Sequence, residues 1–246
     1  MKTKIKVYQR IPRAAIRFRP EFIDFKRGLR VGNLKDDERI TRLLKMELEH
    51  RYQQEFVTER WGRGVHWIWI GYLPRANRAA MPISSAVSFG CSKFFIMVDF
   101  EDRLFKCGLQ VERGYVKAPK DFRGCELRPD WDWNRLLASL RPGGLMEGEL
   151  RRLLMREGFR LHAGGWGEGS KEITRSTLPG AAAIRRILAG APGHDWAGFQ
   201  LYYPMKEAEV MSTTGLDLVE SMLAIFDEVR PAMNLCMNIQ LSTPRQ

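Results

Sequence analysis

"VHWIWIGY", Val65–Tyr72, places a β-branched or aromatic residue at six of its eight positions, and its one polar side chain is His66. So short a run with that composition suits a strand better than a helix. Apolar groups on both sides of the pleat predict a central strand, covered above and below. Two-residue alternation predicts Trp67 and Trp69 on one face, with His66, Ile68 and Ile70 on the other. Two indoles on one face suit either a sheet sealed by a helix or a platform for a planar ligand. The large area that Trp buries favours packing. His66 reads as a satisfied core histidine.

Working outward, "LPRANRAAMP" reads as a loop that presents Arg75 and Arg78 to an anion. "ISSAVSF" (Ile83–Phe89) is a weak strand signal and "KFFIMVDF" (Lys93–Phe100) a strong one. The charged turn Glu101–Arg103 then leads into a strand through Glu112, which predicts an antiparallel hairpin. Upstream, Asp36–Phe56 repeats Ile40, Leu43, Leu44, Leu48, Tyr52 and Phe56 at helical spacing behind an acidic start. Glu47 and Arg51 fall four apart as a surface pair. At the N-terminus "KIKVYQRI" alternates like a half-exposed strand.

Strands that follow one another without intervening helices predict an α+β fold, with a central, mainly antiparallel sheet and flanking helices. Beyond the polar run Lys117–Pro129, helices are expected in "DWDWNRLLASLRP", "LMEGELRRLLMREGF" and "LPGAAAIRRILAG". Short strands are expected in "FRLHAGG" and "WAGFQLYYP". A long helix is expected over Leu216–Cys236, kinked or ended at Pro231. The chain reads as a single domain, 1–246, with a sub-boundary near 117–129.

Of 246 residues, 44% are hydrophobic, enough for a substantial core. No run of 18 apolar residues suggests a membrane span, and the basic N-terminus lacks the apolar segment of a leader. A cytoplasmic protein is therefore expected. Cys91, Cys107, Cys125 and Cys236 form no CxxC pair and read as free, mostly buried thiols.

The net charge is +11, and Met1–Leu34 holds ten basic residues against Glu21 and Asp24. Such an excess points to a polyanion, above all nucleic acid, with Arg13, Arg17, Arg19, Arg75 and Arg78 as candidate contacts. A solvated basic edge has the same composition. A different class of function is a metal-dependent hydrolase of phosphate esters. It would need Asp99 and Glu112 to converge as metal ligands, with Lys106 beside them.

"AGGWGEGSK", after His162, is rich in glycine but lacks P-loop spacing, so it reads as a flexible loop offering Trp166 and Glu168 to a substrate. His194 and Asp195 are neighbours in sequence, which does not make them a catalytic pair. No GxSxG, HExxH or GxGxxG pattern is present, and nothing calls for a cofactor. An interaction protein without chemistry, dimeric or not, fits the same composition.

Overall fold

The computed structural model describes residue 8, residues 10–80 and residues 90–242. The expected strand at 83–89 and most of the alternating N-terminal segment lie outside the described residues. In chain order the elements are β1 (Ile23–Asp24), β2 (Gly28–Arg30), α1 (Ile40–Tyr52), β3 (Phe56–Arg63), β4 (His66–Pro74), α2 (Arg75–Ala79), β5 (Lys93–Asp99) and β6 (Leu104–Arg113). There follow α3 (Asp132–Ser139), α4 (Leu145–Arg156), β7 (Arg160–Gly165), β8 (Lys171–Ile173), α5 (Ala181–Ala189), β9 (Ala197–Lys206), α6 (Glu207–Ser212) and α7 (Gly215–Cys236).

The nine strands among the described residues join one sheet through antiparallel ladders, giving the α+β arrangement expected. β3, β4, β5 and β6 form a consecutive meander, and β9, β7 and β8 extend it beyond β6. The small β1–β2 hairpin pairs with the start of β4 through Leu29 and Arg30. The run Lys117–Pro129 does not divide the sheet, because β9, far beyond it, pairs along the whole of β6.

One face of the sheet carries Ile70, Tyr72, Phe94, Ile96, Phe105, Cys107, Leu109, Phe199 and Leu201 into the main core. α7 lies over it, with Leu218, Met222, Phe226, Val229 and Met233 buried. Phe226 stacks on Phe94 at 4.7 Å between ring centroids. Each such side chain taken from water stabilises the fold by about 1.5–3 kcal/mol. α7 runs through Pro231 to Cys236, so the proline neither ends it nor stops its burial.

α1 is shorter than the periodicity suggested. Gln53 takes the left-handed conformation, which closes the helix after Tyr52 and sends Phe56 into β3. The Glu47–Arg51 surface pair does not form. Glu47 is buried and accepts the Ile11 amide at 2.9 Å, while Arg51 pairs with Asp227 of α7. Both residues are spent on tertiary contacts rather than on local helix support.

The expectation for the two tryptophans also fails, for a geometric reason. β3 opposes Trp61 to Trp69 but Gly62 to Trp67, so Ile68 is an extra residue in β4, a β-bulge. The bulge reverses the alternation. Trp67 lies opposite buried Leu29 and packs on the main core, with the Arg60 guanidinium 3.7 Å from its ring centroid. Trp69 points to the other face and donates to Gln110 at 2.8 Å. β4 still carries apolar side chains on both faces, Ile70 and Tyr72 in the main core and Leu73 against Cys91 on the other.

Candidate functional site

The second sheet face is polar. Lys93, Gln110, Gln200, His162 and Glu172 stand directly opposite one another across β5, β6, β9, β7 and β8, and so form one row on this face. Gln110 accepts from both Trp69 and Gln200. Lys93, only 1% exposed, lies 2.6 Å from Glu112 and 3.1 Å from Glu59. Burial opposes its charge, but the two carboxylates outweigh that and hold the ammonium above the ordinary lysine range.

Lys106 pairs with Asp99 at 2.6 Å and lies over the Tyr202 ring. Glu172 accepts from Tyr202 and Arg160. Burial, then the Lys106 charge, hold half-buried His162 below its ordinary value. Lys93, Lys106 and Arg160 each have a carboxylate partner, so the centre of this network consumes its own charge.

The hydrolase candidates do not converge. Asp99 opposes Leu104 at one end of the β5–β6 hairpin, and Glu112 lies eight residues further along β6, about 27 Å away at ~3.4 Å per residue. Lys106 belongs to Asp99, and Glu112 belongs to Lys93. Among the described residues, no group of three or more His, Cys, Asp or Glu side chains is placed to hold a metal ion. The four cysteines are free and buried.

Several expected anion contacts are occupied. Arg13 pairs with Glu220 at 2.8 Å, and Arg17 with Asp37 at 3.5 Å. Arg19 lies over the Phe22 ring. Arg75 and Arg78 sit on the short helix α2 rather than on a loop, and Arg75 pairs with Glu55 at 2.7 Å.

Trp166 is not on a free loop either. Its indole covers Gly198, where an added Cβ would come within 2.2 Å of Nε1. The Gly167 amide donates to Asp195, and Arg113 holds that neighbouring loop through the Pro192 and Asp195 carbonyls.

One group of cations lines a groove at one end of the sheet. A groove of about 320 Å³ is lined by Lys26, Arg27, Trp61, Gly62, Arg63, His66, Ile68 and Phe100. It lies where the β1–β2, β3–β4 and β5–β6 turns meet. Arg63 lies opposite His66, and His66 opposite Arg30, so the three cross adjacent strands in a row. No described carboxylate forms an ion pair with Lys26, Arg30 or Arg63, though Arg30, like Arg19, lies over the Phe22 ring, and Arg27 reaches Asp24 at 4.0 Å. His66 is thus part of an open groove and not of the core.

In the sequence Lys26, Arg27 and Arg30 contribute only to net charge, and neither Arg63 nor Phe100 belongs to a recognisable motif. The available signal was Trp61 in "TERWGRG", a large apolar side chain set among charges and glycines. The chain matches no protein-family model, no curated protein and no solved structure.

Among the described residues, no helix is long and apolar enough to cross a membrane.

Proposed function

We propose that this protein binds nucleic acid through the phosphate backbone, at the basic groove formed by the β1–β2, β3–β4 and β5–β6 turns. The observation that carries this reading is a groove lined by Lys26, Arg27, Arg63 and His66, with no carboxylate among its described lining residues and with Arg30 beside it, in a cross-strand row with His66 and Arg63. Adjacent strands are ~4.8 Å apart, so the row spans about 10 Å. One strand of duplex DNA carries a charge every ~3.4 Å, so several of these donors reach phosphates at once. Arginine forks suit phosphate oxygens, and turns let them meet a ligand without unfolding the sheet.

Exposed Glu101 and Asp102 follow Phe100 on the β5–β6 turn and oppose the approach of an anion. They limit affinity without lining the groove.

Fluorescence anisotropy of a labelled oligonucleotide at low salt tests the proposal. Replacing Lys26, Arg27 and Arg63 together by Gln should weaken binding about tenfold or more. Replacing Arg13 and Arg75 by Gln should change it less than about twofold, because those charges are already paired. No binding by the wild type, or an equal loss in both variants, would reject the groove as the site.

A further inference from the structure

The groove contains more than charge. Trp61 is 68% exposed, and Phe100, on the neighbouring turn, is 39% exposed. Ile68 adds an apolar surface beside them. Phosphate recognition has no use for these three side chains, and the fold does not bury them. An indole left in water forgoes one of the largest burial gains any side chain offers.

The way Trp61 is displayed is built into the backbone. The β-bulge begins immediately after Trp61, and Gly62 makes it possible: a Cβ there would lie 2.5 Å from the Trp67 Cα. In a regular, unbulged strand Ile68 would point to the face opposite Trp69. With the bulge, Ile68 lies in the groove, to which Trp61 and Phe100 also contribute. Cations and an uncovered aromatic ring therefore share one concavity, at the small end of the range that ligand pockets span.

We propose that the groove takes single-stranded nucleic acid, with one base stacked on Trp61 against the apolar lining of Ile68 and Phe100, and the adjoining phosphates held by Lys26, Arg27 and Arg63. This rests on the polyanion reading above and narrows it. A duplex hides its base faces in its own stack, whereas a single strand offers them to an aromatic platform whatever its sequence. Weak dependence on base identity is part of the proposal, because the lining cations are assigned to phosphates and an aromatic ring stacks on any base.

The test compares three probes on the full chain: a short oligo(dT), a hairpin duplex of similar charge, and heparin, a polyanion without bases. Anisotropy or competition gives the affinities, and sedimentation velocity gives the oligomeric state of each variant. The expected result is oligo(dT) binding about tenfold or more tighter than either competitor. Trp61→Ala should abolish that preference while leaving heparin affinity unchanged, and Trp61→Phe should retain most of it. Trp61 is exposed, so both variants should fold as the wild type does.

Equal affinity for all three probes, unaltered in Trp61→Ala, would overturn the stacking proposal and leave the polyanion reading intact. A Trp61→Ala change from dimer to monomer, with oligo(dT) affinity unchanged, would also overturn it and make Trp61 a contact between copies. Failure to bind any of the three would reject both.

Discussion

Lys93 and Glu112, 2.6 Å apart on β5 and β6, form an ion pair inside the sheet, with Glu59 3.1 Å from the same ammonium. Two carboxylates share one buried cation, so removing the cation strands both. Lys93→Met should destabilise the fold by about 3–5 kcal/mol at neutral pH, measured by urea unfolding. In the wild type the raised lysine value keeps this contribution intact below the ordinary lysine range and removes it only as pH climbs through the higher folded value. A Lys93→Met protein as stable as the wild type at pH 7 would contradict this account.

Asp132, at the start of α3, has the opposite sign. Its carboxylate is fully buried and accepts from the Ser92 amide at 2.6 Å and from Asn77 at 3.0 Å, with Oδ1 unpartnered among the described residues. Burial pushes it up to about 6, and the hydrogen bonds from Ser92 and Asn77 only partly offset this. The folded protein therefore takes up the proton more readily than the unfolded chain. Stability should rise as pH falls from 7 through about 6 and level off near the ordinary carboxylate value, a gain of up to about 3 kcal/mol. Asp132→Asn keeps an acceptor and should remove this pH dependence. A variant with the wild-type pH profile would exclude Asp132 as its source.

The bulge in β4 assigns different work to its two tryptophans. Trp69→Ala removes a donor from Gln110 and the ring that covers Gly71 and faces Lys93, and should cost about 3–5 kcal/mol. Trp67 lies partly in water under Arg60 at the margin of the core, so Trp67→Ala should cost roughly half as much. Urea midpoints in the reverse order would mean that the bulge has been misplaced.

Gly198 sits beneath Trp166, and a methyl group there cannot coexist with the indole in its present position. Gly198→Ala should displace the ring, shift tryptophan emission to longer wavelength and cost about 1–3 kcal/mol. Unchanged emission and stability would show that the loop carrying Trp166 does not rest on β9.

These sites differ in how far the sequence reveals them. The β5–β6 hairpin was legible because Lys93–Phe100 and Leu104–Glu112 flank a charged turn, and local pattern alone fixes their pairing. The long helices were legible from stripes such as Leu218, Met222 and Phe226. β3 was not, because Phe56 continues the apolar spacing of α1 and only the left-handed turn at Gln53 separates the two. The bulge at Ile68 was hidden for a related reason: nothing within "VHWIWIGY" marks an extra residue, which shows only in the pairing with β3.

The candidate site was the least legible part. Net charge located a basic segment but not which cations stay unpaired, since Glu220, Asp37 and Glu55 reach Arg13, Arg17 and Arg75 from distant sequence. Lys26, Arg30 and Arg63 become distinctive only when three turns meet.

Removing the negative charge beside the groove should act in the opposite direction from removing its cations. Glu101→Gln with Asp102→Asn, on the exposed β5–β6 turn, should tighten oligonucleotide binding by about two- to fivefold at low salt and make little difference at high salt. An unchanged affinity at low salt would place the bound strand away from Phe100.

The salt dependence of oligo(dT) affinity tests the central claim most directly. If three or four cations of the groove meet phosphates, the logarithm of the association constant should fall against the logarithm of salt concentration with a slope of about −2 to −3. Replacing Lys26, Arg27 and Arg63 by Gln should bring that slope close to zero. A wild-type slope near zero, or one that survives the triple replacement, would contradict the assignment of the groove as the phosphate-binding surface.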